Sequence, residues 1–267
     1  WRHVQIPGTD NEDFRYTFPR VIGAWKPKQL ASVAHVYGKR RAMVEALDGA
    51  GWAITLDEAR YGVNMLAAYG MNFFVFHLFH YAMDTPESMD DWPNSWFYQN
   101  PYWKYFNKLA DHVRRLSFMG SQGEHVADIG VLYPVEEVWS LGLTQPPPGR
   151  PDVVDLVEEL VRQPWDCDLV DTDSLIQATS TGHGARIGTE VYRVLILPGV
   201  ETVSLAAYRQ IAKLAEGGLQ VIALRRTPCH SAENGADDPE VITISRNLFS
   251  NQQRVFPDVA AIARWLR

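Results

Sequence analysis

No stretch restricts the fold more than the one from Arg41 to Phe76. Arg41-Ala-Met-Val-Glu-Ala-Leu47 is a short, mostly apolar run that suits a strand buried on both faces, and Asp48-Gly49 and Gly51 end it. Thr55 with Glu58 three residues later is a capping box, opening a helix through Val63, Leu66 and Ala67 that stops at Tyr69-Gly70. Met71 to Phe76 is the next apolar run. Strand, capped helix and strand make a crossover unit, whose two strands should be parallel and adjacent. Catalytic groups in such folds sit at the C-terminal ends of strands. Those ends carry Glu45 on the first strand and His77, His80 and Tyr81 on the second.

The flanking segments extend this pattern. Pro7-Gly8 and Pro19 break residues 1–24 into short extended pieces, and Lys28 to Tyr37 suits a helix with Gly38 as its cap. Residues 84–103 are a long loop rich in Asp, Pro, Asn and Trp, a kind that often covers a site, and a helix is expected from about Tyr102 to Phe118. Gly120, Gln122 and Gly123 mark a boundary. Beyond it, strands are expected at 126–133, 167–170, 194–197 and 219–224. Helices are expected at 152–161, 204–216 and 257–267, a helical turn at 173–178, and a proline-rich loop at 146–149. This alternation predicts a doubly wound parallel sheet. The expected class is therefore α/β, in two parts: residues 1–122, with active-site carboxylates at strand ends, and residues 123–267, with a sheet of its own.

Composition excludes several functions. The formal net charge is −7, and Lys39-Arg40-Arg41 is the longest basic run, so nucleic acid is not an expected partner. The most apolar stretch, Met71 to Tyr81, is too short to span a membrane and carries two histidines. Cys167 and Cys229 are too few for a disulfide framework or a structural zinc site. The chain opens on Trp1 without a methionine or leader, and the expectation is a fragment or processed chain. The compartment stays open; secretion or a periplasmic location would need a leader upstream.

Glu45 is the leading candidate for chemistry. A carboxylate closing an apolar strand is costly without partners. It is read either as a general acid, base or cation ligand at a barrel mouth, or as a carboxylate that caps a loop or pairs with an arginine. His77 and His80 have metal-like spacing but no third ligand, so His77 is read as a hydrogen-bonding partner for a sugar hydroxyl. The tryptophans, mostly in the first 140 residues, fill cores by default, and their faces also stack on sugars. No Gly-x-Gly-x-x-Gly or Walker sequence follows a strand. Thr227-Pro228-Cys229-His230 lies among loop residues and lacks the strand–helix elbow of a nucleophile, which leaves a structural role.

One ordered series of motifs adds to this. It runs Ser32-Val-Ala-His-Val-Tyr-Gly38, Met43-Val-Glu45, Gly51-Trp52, Gly70-Met-Asn72 and His77. Tyr98-Gln-Asn-Pro-Tyr-Trp103, Arg115-Leu-Ser117, Gly123, His125-Val-Ala-Asp128 and Val131-Leu-Tyr-Pro134 follow. The series resembles glycoside hydrolase family 106, the α-L-rhamnosidases, best over about residues 25–140. Residues 123–267 resemble the flavodoxin-like glutamine-amidotransferase domain found beside glycosidase barrels. The resemblance implies the C-terminal part of a (β/α)8-type barrel over residues 1–122, followed by that domain in non-catalytic form. It implies inverting hydrolysis of rhamnosyl bonds with two carboxylates and a calcium ion. Glu45 takes the catalytic position, although Val44 stands where serine is usual. His77, Tyr81, Trp52 and Trp96 are assigned to the substrate, which is a carbohydrate. Homo-oligomerisation, where present, would use the C-terminal domain. Inversion needs carboxyl groups roughly 6.5–9.5 Å apart to hold a water. The partner of Glu45 is expected from a segment outside these residues, or else from Asp48, Asp84, Asp90 or Asp91. The competing reading is a degenerate barrel that binds sugar or oligomerises without catalysis.

Overall fold

A computed structural model describes residues 2–10, 23–86, 94–142, 149–250 and 254–267. Asp90, Asp91 and the Pro146–Pro148 run fall outside them. Two compact units result: residues 1–34 with 39–124, and residues 35–38 with 125–267.

In the first unit, strands β1 (Gly8–Asp10), β2 (Met43–Ala46) and β3 (Phe73–Phe76) form a parallel sheet in that order. Helix α1 (Trp25–Val36) precedes β2, and helix α2 (Leu56–Ala68) crosses from β2 to β3. The expected capping box is present: Thr55 accepts from the Glu58 amide at 3.2 Å, and Glu58 accepts from the Thr55 amide at 2.7 Å. Helix α2 buries Ala59, Gly62, Val63 and Leu66 and packs on helix α3 (Phe106–Met119), which buries Leu109 and Val113.

The lower rim of this sheet is tied by side chains. Asn72 accepts from the Ala42 amide at 2.9 Å and donates to the carbonyls of Arg40 at 3.1 Å and Gly120 at 2.8 Å. Arg41 donates to the carbonyls of Asn72 and Ser117, each at 3.0 Å. The side chains of Asn72, which is in the motif series, and Arg41 therefore hold the ends of β2, β3 and α3. This is the strand-start side, where demanding residues serve stability in such folds.

The second unit contains a five-stranded, wholly parallel sheet: β4 (Ile129–Leu132), β5 (Cys167–Val170), β9 (Val194–Leu197), β11 (Gln220–Leu224) and β13 (Val255–Phe256). The spatial order is β5-β4-β9-β11-β13, the 2-1-3-4-5 order of flavodoxin-like sheets. Every residue of β4, β5 and β9 is buried, which explains the apolar sequences of β4 and β9 and leaves Asp168 as the one charged residue of β5.

Two expectations need correction. Alternation of strand and helix does not run throughout, because β6 (Thr179–Ser180), β7 (Ala185–Ile187) and β8 (Glu190–Tyr192) form a small antiparallel sheet. Strands of two or three residues are too short for a period of two to be read from the sequence, although burial alternates along β7. A second omission is the helix Pro239–Leu248, which has Asp238 as its cap but buries only Val241 and Ser245. Strands Thr202–Val203 (β10) and His230–Ser231 (β12) also pair in parallel, apart from the main sheet.

The tip of the β7–β8 hairpin meets the end of α1. Thr189 donates its amide to the Val36 carbonyl at 3.0 Å and its hydroxyl to the His35 carbonyl at 2.5 Å, satisfying carbonyls that a helix end leaves open. Tyr37 donates to the carboxylate of Asp171. These contacts explain why residues 35–38 pack with the second unit.

Candidate functional site

The first unit gathers its polar chemistry at the C-terminal ends of β2 and β3. Glu45 pairs with Val75 and Ala46 with Phe76, and the His77 amide extends the ladder by donating to the Ala46 carbonyl at 3.2 Å. Side chains alternate along a strand, so Glu45, Val75 and His77 share a face. Beyond Ala46 the backbone turns sharply: Leu47, although buried, has φ 63°, and Gly49 and Gly51 follow at 64° and 75°. A leucine held there costs on the order of 1–2 kcal/mol. The turn sets Asp48 against the ring of His77.

Two carboxylates thus flank one imidazole. His77 Nε2 lies 3.6 Å from Glu45 Oε1, and His77 Nδ1 lies 3.0 Å from Asp48 Oδ1. The Glu45 side chain is 40% exposed, open enough to meet a ligand, whereas Asp48 is buried. Asp48 Oδ1 and His77 Nδ1 are both shielded from solvent and form no aligned hydrogen bond, despite their 3.0 Å separation. Asp84 is exposed. Among the described contacts, Asp48 and Glu45 are the carboxylates that reach the His77 ring.

The other expected site residues divide. Trp96 is 2% exposed; its indole N–H donates to the His77 carbonyl at 3.1 Å and its amide to the Leu78 carbonyl at 2.8 Å. It braces the chain beyond β3 from inside the unit and presents no open face to a sugar. Tyr81 is fully open to solvent and Trp52 is half-buried. His80 has its backbone held by Ser95 and Gln99. Phe79 and Trp103, not singled out as site candidates from the sequence, are partly exposed and meet edge to face at 6.2 Å. Trp103 closes the Tyr98–Trp103 motif, which was the available signal.

Calcium takes six to eight oxygens. Glu45 and Asp48 approach opposite nitrogens of one ring. Among the described residues, both side-chain groups with ligand atoms close enough for a metal include histidine: His35, His125 and Asp168, and Cys229, His230 and Asp237.

Neither histidine group is built for a metal. A metal lies near the plane of each imidazole that binds it, but the His35 and His125 rings are stacked 3.5 Å apart and within 15° of parallel. They form a charged cluster instead. Fully buried Asp168 meets His35 Nδ1 at 2.8 Å and accepts from the Tyr192 hydroxyl at 3.0 Å. His125 meets Asp166 at 2.9 Å, with Asp168 and Glu190 within 3.6 Å. Burial disfavours the His125 cation, but the bond to Asp166, then Glu190 and Asp168, raise its pKa to about 9.

In the second group, His230 Nδ1 accepts from the Asp237 amide at 2.9 Å. The ring proton is therefore on Nε2, which faces Cys229 Sγ at 3.6 Å and has no lone pair to take a proton from it. Burial, then Glu201 and Asp237, push the Cys229 thiol up. Cys229 is not an activated nucleophile. Sheets of this order bind ligands where the strand order reverses, between β4 and β9. There the buried carboxylate of Glu137 accepts from the amides of Glu201 at 3.3 Å and Thr202 at 2.7 Å.

Solved glycosidases share this architecture. A rhamnosidase from Novosphingobium sp. PP1Y superimposes with a TM-score of 0.69 at 20% identity, over 99% of this chain and 26% of its own. A cold-adapted β-galactosidase from Rahnella sp. R3 gives 0.57 at 12% identity, over 86% of this chain and 34% of its own. These likenesses define the class: a mixed α/β fold, with mostly parallel sheets, that glycoside hydrolases use. The sequence is more specific. The chain belongs to glycoside hydrolase family 106, the α-L-rhamnosidase family, whose profile matches residues 23–262. A relative in Formosa agariphila, provisionally named a β-glucuronidase, is 25% identical over 231 residues, 84% of this chain and 19% of its own length. The chain thus spans about a fifth to a third of the lengths of these proteins.

Proposed function

We propose that the protein hydrolyses α-L-rhamnosyl bonds by paired-carboxylate acid/base chemistry, with Glu45 as one of the pair. One observation supports this most: a family-matched chain sets a solvent-reachable carboxylate at the C-terminal end of a parallel strand, beside the histidine of the next strand. In this reading the sheet β1–β3 is part of a (β/α)8-type barrel. His77 and Tyr81 contact the sugar, Trp52 borders it, and Phe79 and Trp103 offer apolar faces to its C–H surface. Asp48 lies against His77 Nδ1, and in this reading the second carboxylate comes from a segment outside the described residues. The second unit is an amidotransferase-like, non-catalytic domain. Glu137 at the switch point and the tautomer of His230 support that assignment.

Turnover of aryl α-L-rhamnoside, β-D-glucuronide and β-D-galactoside by the full-length protein tests the substrate class. Release from the rhamnoside alone is expected. Calorimetric sugar binding without turnover of any of the three would favour a degenerate, sugar-binding barrel.

A further inference from the structure

We propose that Asp48 is a positioning residue of this site: it holds the proton of His77 on Nδ1, so that Nε2 faces Glu45 with a lone pair and exchanges protons with it. The proposal rests on the reading of Glu45 as an acid/base carboxylate.

Several features point the same way. The backbone at Leu47 is held left-handed in a buried turn, and the result is that Asp48, three residues after Glu45, reaches the same ring from its other edge. A buried donor or acceptor left unpaired is destabilising. Asp48 Oδ1 and His77 Nδ1 are shielded and unaligned at 3.0 Å, so a small ring rotation that pairs them is favourable. The 3.6 Å gap between Nε2 and Glu45 exceeds a hydrogen bond, and catalytic contacts often tighten only once substrate is bound. Trp96 pins the backbone carbonyl of His77, so the ring adjusts on a fixed main chain.

The proton step balances within these residues. Glu45, after taking a proton from the attacking water, gives it from Oε1 to His77 Nε2. The O–H bond breaks, an N–H bond forms, and Nδ1 keeps its own proton. The positive charge on the ring then faces the Asp48 carboxylate. His77 is 24% exposed, so Nε2 can release the proton to solvent before the next turnover.

The test is nitrogen-15 NMR of selectively histidine-labelled full-length protein, with the His77 signals assigned by their loss in His77→Gln. The expected result is a proton on Nδ1 in the wild type, moved to Nε2 in Asp48→Ala and kept on Nδ1 in Asp48→Glu. A neutral wild-type ring protonated on Nε2 overturns the proposal, and this measurement needs no variant of Asp48. So does a tautomer unchanged in Asp48→Ala. Alongside it, kcat on an aryl rhamnoside should fall about tenfold or more in Asp48→Ala with KM little changed, and recover in part in Asp48→Glu. If Glu45→Gln hydrolyses as well as the wild type, the acid/base reading of Glu45 fails, and the tautomer still decides the role of Asp48.

Discussion

The charged cluster of the second unit makes stability depend on pH in a window set by His125. Its folded pKa is raised from 6.5 to about 9, a difference worth at most roughly 3.4 kcal/mol. The ring is 20% exposed, and solvent screening reduces the effect to about 1.5–2 kcal/mol. Because the folded value is the higher one, this stabilisation is complete below pH 6.5 and is lost as pH rises through 9. The groups facing the ring are Asp166, Asp168 and Glu190, together with the stacked His35. Tyr192, whose hydroxyl is raised well above its ordinary value by burial and by Asp168, stays neutral across the window. Urea denaturation at pH 6 and pH 9.5 should show the wild type losing about 1.5–2 kcal/mol more than His125→Gln over this interval. Equal losses in the two proteins would refute the assignment of charge to His125.

Three further substitutions test the packing. Gly188→Ala would place a Cβ 1.9 Å from the Val36 carbonyl at a φ of +61°, so thermal unfolding should show destabilisation of about 2 kcal/mol or more. Asn72→Ala removes an acceptor for one buried amide and two donors to carbonyls, and denaturant unfolding should register a loss of about 2–3 kcal/mol. Thr55→Ala breaks the capping box of α2 and should cost about 1 kcal/mol by the same measurement, with activity unchanged.

The parts of the fold legible in the sequence are those coded locally. The β2–α2–β3 unit is readable because Thr55 and Glu58 announce the helix and its flanking runs are apolar. Strands Cys167–Val170 and Val194–Leu197 are legible to the residue because both faces are buried. The β6–β8 sheet is not, since runs of two or three residues are too short to establish a period. At the site, Glu45 and His77 are legible from strand ends alone. The contact between Asp48 and His77 depends on a left-handed leucine, for which a sequence gives no signal. His35 and His125 stack although they are distant in sequence, and only the tertiary fold brings them together.

The most direct test of the account is the rate of aryl α-L-rhamnoside hydrolysis by the full-length protein and by its Glu45→Gln form. Loss of a general acid or base should lower kcat by about 100-fold or more, with the variant still folded. Undiminished hydrolysis by Glu45→Gln would contradict the account and remove Glu45 from the chemistry.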